Sequence, residues 1–178
     1  MRALRVVPVL LLCLVAASCA GQREVRPPGA IRKVVVVSGS RVERLPTGTY
    51  RQDMLDESNP RQVLARQAEA VLSERGFEVV ATRASEAPLP QTNEVMSFIQ
   101  QNQAEAAVVI ILDWLDVSGA AVMGRADVVL RMGVVGPDGQ VKWTDTFRSQ
   151  PVISVYAAQS DWQSYLRRAA VDAVRAVP

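Results

Sequence analysis

Four consecutive valines, Val34-Val35-Val36-Val37, constrain this chain more than any other feature. Side chains along a strand point alternately to opposite faces, so an unbroken aliphatic run is satisfied only when both faces are buried. A second run, Ala106-Ala107-Val108-Val109-Ile110-Ile111-Leu112, makes the same demand and is expected to continue to Val117. Strands of this kind need covering layers on both sides of a sheet, as in parallel strands joined by helices.

The covering helices can be placed between them. Asn59 can cap a helix whose first turn accepts Pro60. Val63, Leu64, Ala68, Val71 and Leu72 make its apolar stripe. Gly76 ends it, with Phe77 folding back on Leu72. A second strand is expected at 77–82, a loop at Pro88 and Pro90, and a second helix at 93–103 with Val95, Met96, Phe98 and Ile99 inward.

The pattern then changes period. In residues 124–135, Val128, Leu130, Met132 and Val134 alternate with Asp127, Val129 and Arg131. Gly136-Pro137-Asp138-Gly139 signals a tight turn. In residues 141–148, Val141, Trp143 and Phe147 alternate with Lys142, Thr144, Thr146 and Arg148, a strand with one dry and one wet face. Ser160 and Gln163 form a capping box for a last helix. Trp162, Leu166, Ala169, Ala170, Ala173 and Val177 line one side of it. The expected fold is an α/β (α+β) domain with a mixed five-stranded sheet and three helices, in the order β-α-β-α-β-β-β-α. Its first three strands are parallel with right-handed crossovers. Helices should cover one face fully and the other in part, with Trp114, Trp143 and Trp162 as core anchors.

Residues 1–18 have a different character. Arg2 and Arg5 precede a short apolar stretch, and Ala16, Ala17 and Ser18 lead to Cys19. This is the order of a secretory signal, too short for a membrane span. With its cysteine, the stretch resembles a bacterial lipobox, Ala16 standing where leucine is usual. Acylation of Cys19 by palmitate-type chains is the expectation. Ordinary cleavage nearby is the alternative, and would leave a lone thiol in an oxidising compartment. Residues 19–30 contain Pro27-Pro28-Gly29 and read as a lipidated tether. The eleven residues 20–30 reach at most about 35–40 Å. Residues 31–178 then form a single domain.

The formal net charge of +2, from 20 basic and 18 acidic residues, comes entirely from Arg2 and Arg5 in the leader. A neutral remainder argues against a nucleic-acid partner. The chain has no histidine, and its second cysteine, Cys13, also lies in the leader. No disulfide, metal site or cofactor is expected in the domain. Ser38-Gly39-Ser40 lacks both the glycines of a nucleophile elbow and a histidine to activate a serine.

The element order behind such a leader resembles a group of bacterial envelope proteins. The group includes the amino-terminal domain of TolB, the curli-export lipoprotein and the lipoprotein activators of penicillin-binding proteins. The stretches carrying the resemblance are the valine-rich first strand, Glu74-Arg75-Gly76-Phe77-Glu78-Val79-Val80, the run from Ala106 to Ile111, and the hairpin from Arg125 through Trp143. The resemblance implies no catalytic residue. With Ala20 after the cysteine, it implies an outer-membrane lipoprotein facing the periplasm. Such a protein would work by protein–protein contact in envelope assembly, export or cell-wall regulation, and not as an enzyme. The alternative is a periplasmic carrier of a lipid or small apolar ligand held between helix and sheet. Partners are then the membrane through the lipid anchor, other envelope proteins and a second copy of the chain as homo-oligomer.

Two segments are candidate partner-binding surfaces. The polar stretch 39–58 is long for a connection and follows the carboxyl end of a buried strand, where ligands gather on open sheets. It carries Arg41, Arg44, Tyr50 and Arg51, residue types common at binding hot spots. The stretch 117–124, with Val122 and Met123, is unusually apolar for a hairpin tip. Their plain alternatives are a polar loop and strands that simply run on into the core. Asp113, Asp116 and Asp127 are read as solvated or arginine-paired beside Arg125 and Arg131. Spacing of three along a strand places Asp113 and Asp116 on opposite faces.

Overall fold

In the computed structural model, residues 30–42, 59–153 and 162–178 are described. Five strands form one sheet: β1 (Lys33–Ser40), β2 (Glu78–Ala84), β3 (Ala106–Asp116), β4 (Asp127–Val135) and β5 (Val141–Ser149), in the spatial order β2-β1-β3-β4-β5. β1 lies parallel to both β2 and β3, and β4 and β5 add antiparallel. The helices are α1 (Pro60–Glu74), α2 (Thr92–Gln101) and α3 (Trp162–Arg175), with a single helical turn at Ala120–Met123. This is the mixed five-stranded, three-helix arrangement read from the sequence.

The valine run explains the layering. Val34 and Val36 enter a large core with Leu64, Leu72, Ile110, Leu130 and Leu166 beneath α1 and α3. Val35 and Val37 enter a smaller one with Val95, Phe98 and Ile99 of α2. Four valines in a row thus divide between two cores at a period of two. α1 packs on α3, β1, β2 and β3, and α3 reaches β4, whereas α2 packs on β1 and β3. The inner face is covered fully and the outer face only in part.

Local chemistry fixes the ends of α1. Asn59 accepts a hydrogen bond from the Arg61 N–H at 3.0 Å. At the other end Gly76 takes φ 82°. The Phe77 N–H donates to the Leu72 carbonyl and the Gly76 N–H to that of Ser73, which is a Schellman closure. Arg75 Nη1 donates to the carbonyls of Val174 and Val177, tying α1 to the end of α3.

Several expectations need correction. Trp114 is 55% exposed rather than a core anchor, and Trp143 is half-buried, while Trp162 is fully buried. The cause lies in β3, where the register shifts between Leu112 and Trp114. The bulge lets Leu112 and Leu115, three apart, enter the same core. It turns Asp113 and Trp114 to the outer face, and Asp116, next to Leu115, follows them. Asp113 and Asp116 therefore share a face instead of opposing each other. Val141 is 62% exposed, because it opens the edge strand β5 just past a second register shift. β4 begins at Asp127 rather than 124, since Gly124 closes the helical turn at φ 60°. Ser160 lies outside the described residues.

Candidate functional site

The tip between β3 and β4 does not continue the strands. Val117 and Ala120 turn inward and are buried. The Ala120 N–H donates to the Val117 carbonyl and the Met123 N–H to that of Gly119, winding residues 120–123 into one turn. The turn leaves Val122 79% and Met123 55% exposed. Beside it, Arg125 forms an isolated bridge with Val152, and the Ile153 N–H donates to the Gly124 carbonyl at 2.7 Å. Val152 is itself 57% exposed, so the segment after β5 adds to the apolar end. At its base, Asp116 accepts from the Ser118 N–H at 2.8 Å, and this bond holds its carboxyl below the usual range.

On the outer face, Arg131 grips Asp113 with two bonds, Nε to Oδ2 at 3.0 Å and Nη2 to Oδ1 at 2.7 Å. This pairing raises the Arg131 pKa. Arg41, at the end of β1, approaches the same Asp113 oxygen at 3.4 Å. The arginine-paired reading of Asp113 holds, with Arg41 as an additional partner. Arg44, Tyr50 and Arg51 lie outside the described residues.

Where α2 leaves the outer face uncovered, an open groove of about 170 Å³ runs over β3, β4 and β5. Val109, Ile111, Gly133 and Val135 form its floor. Pro90, Thr92 and Val95 make one wall, Gly139 and Val141 another, and Arg131 and Thr144 add polar groups. Residue-by-residue reading of the sequence misses this site, because four separate elements, α2, β3, β4 and β5, build it. Gly133 inside a strand is its one sequence sign, since such a glycine often marks a close approach.

Other polar groups of the sheet have structural partners. The buried Ser38 hydroxyl donates to the Arg61 carbonyl at 2.7 Å, and that of Ser40 to the Val42 carbonyl at 2.9 Å. Among the described residues, no group of His, Cys, Asp and Glu side chains is placed to hold a metal ion. No helix among them is long and apolar enough to cross a membrane.

No protein-family model and no curated protein matches the chain. Among solved structures, it is similar to a PelC dodecamer from Paraburkholderia phytofirmans at 14% identity and a TM-score of 0.46, over 79% of this chain and 82% of that one. It is also similar to the LpoB C-terminal domain from Escherichia coli at 11% identity and a TM-score of 0.33, over 76% of this chain and 93% of that one. At these values the likeness assigns neither activity nor partner.

Proposed function

We propose that the protein is an outer-membrane lipoprotein facing the periplasm, and that it acts as a protein-interaction module in envelope assembly, export or cell-wall regulation rather than as an enzyme. The observation that carries this reading is the exposed apolar tip formed by Val122 and Met123 beside Val152. Exposed apolar clusters mark contact surfaces. The tip's position supports a protein contact. β1 and β3 are parallel, so the chain enters the domain at the sheet end opposite the tip. The 11 residues of β3 separate the two ends by about 35 Å. A domain tethered through Cys19 thus carries its apolar tip away from the anchored end, toward soluble partners.

A photo-crosslinking amino acid at position 123, in cells, tests the reading. The expected result is a discrete crosslinked envelope protein whose co-purification is lost in Met123→Glu. Truncating an interface hot spot typically costs more than about 2 kcal/mol of binding, whereas an exposed substitution changes stability by about 0.5 kcal/mol or less. Met123→Glu should therefore melt like the parent. Crosslinks to lipid alone, or undiminished capture by Met123→Glu, would overturn the assignment.

A further inference from the structure

The groove on the outer face has a chemistry of its own. Its lining is mainly apolar, with Val95, Val109, Ile111, Val135 and Val141 among its residues, and no aromatic ring lines it. A flat sugar or base would find no stacking partner there. Its volume of about 170 Å³ lies below the range usual for drug-sized ligands, about 300–1,000 Å³, so it suits a single short chain lying along an open groove. Gly133 leaves the centre of the floor as bare backbone. A Cβ built there meets only the Trp143 carbonyl oxygen, at 3.4 Å, so nothing in the protein already fills the space.

Charge selects among the ligands that fit. Arg131 is the one charged residue lining the groove. Its Nε and Nη2 are held by Asp113, which also faces Arg41. Two guanidinium groups thus share one carboxylate, which leaves a positive excess beside the groove. Arg131 Nη1 and the Arg41 side chain donate no hydrogen bond among the described residues.

We propose that this groove binds a small amphiphile with an aliphatic body and a single anionic head, an acyl carboxylate being the simplest form. The body lies along Val109, Ile111 and the bare backbone of Gly133. The head meets the outer edge of Arg131, where a charge-assisted bond is stronger than a neutral one. The groove lies on the sheet face beside α2, apart from the tip, so its failure would leave the reading of the tip untouched.

The test is photolabelling of the full chain with a diazirine-bearing decanoate, with labelled residues located by mass spectrometry. Label should fall on the residues of the groove floor. Decanoate should compete at least about tenfold better than decanol, the advantage expected of a charged head group. Decyltrimethylammonium should compete worst. Gly133→Leu fills the floor and should abolish labelling, and Val141→Glu, an exposed change at the rim, should weaken it without touching the fold. Arg131→Gln should bring decanoate down to the level of decanol and leave decanol unchanged. Equal competition by decanoate and decanol, or loss of both in Arg131→Gln, overturns the anionic assignment. Label outside the groove, or undiminished labelling of both Gly133→Leu and Val141→Glu, overturns the site.

Discussion

Glu105 stands just ahead of β3, and its carboxylate accepts from two backbone N–H groups, Arg32 at 2.7 Å and Lys33 at 3.3 Å. It therefore pins the start of β1 against the start of β3. Those bonds, that of Arg32 first, hold its pKa below the ordinary value. The sign of the linkage follows. A carboxyl with a depressed folded pKa contributes stability that is fully present above its unfolded value, about 4.3 for glutamate. The contribution is lost as pH falls through the lower folded value. Asp116, held by the Ser118 N–H, behaves alike. Melting temperatures of the parent and Glu105→Gln should consequently differ most at neutral pH and converge as the pH falls through the depressed folded value. A gap that stays constant from neutral pH down to the onset of acid unfolding would show that the carboxylate charge is not what pins β1.

Among the elements, α1 shows how much a few residues specify. Asn59, Pro60, Gly76 and Phe77 mark both its ends in the sequence, and each does in the fold what its chemistry suggests. Gly76 is the sharpest case, because at φ 82° any side chain is strained. Gly76→Ala should cost about 1–2 kcal/mol, with Gly76→Asn milder. Denaturant midpoints at unchanged m-value would measure it, and an alanine variant as stable as the parent would contradict the closure. β3 is the counter-example. Alternation carried past Leu112 sends Trp114 inward, but one extra residue, Asp113, reverses the phase. Nothing in Leu112-Asp113-Trp114-Leu115 announces a bulge, because the choice belongs to the pairing with β4. The apolar tip was legible as an anomaly, though its helical turn was not. Of the groove only Gly133 gave a sign in the sequence, since its extent depends on how far a ten-residue α2 reaches across five strands.

For the whole molecule, the proposed anchor and the tip are separable parts, and this gives the last prediction. If Cys19 carries the lipid, residues 20–30 allow at most about 35–40 Å of tether, and the sheet adds roughly 35 Å more before the tip is reached. The tip then works within about 75 Å of the bilayer, and the anchor serves to keep it there. Each buried methylene contributes about 0.8 kcal/mol to membrane attachment, so several acyl chains on one cysteine would make release negligible. Metabolic labelling with a clickable palmitate should mark the parent and Met123→Glu equally, and Cys19→Ala not at all. Partner capture from membranes should show a different pattern. Met123→Glu should lose it while staying membrane-bound. Cys19→Ala should leave the membrane fraction yet still capture partner in solution, at the reduced yield expected once tethering no longer raises the local concentration. Label on Cys19→Ala would refute the anchor. Capture lost to the same extent in both variants would refute the division of labour, because the tip would then have no binding role of its own beyond the membrane.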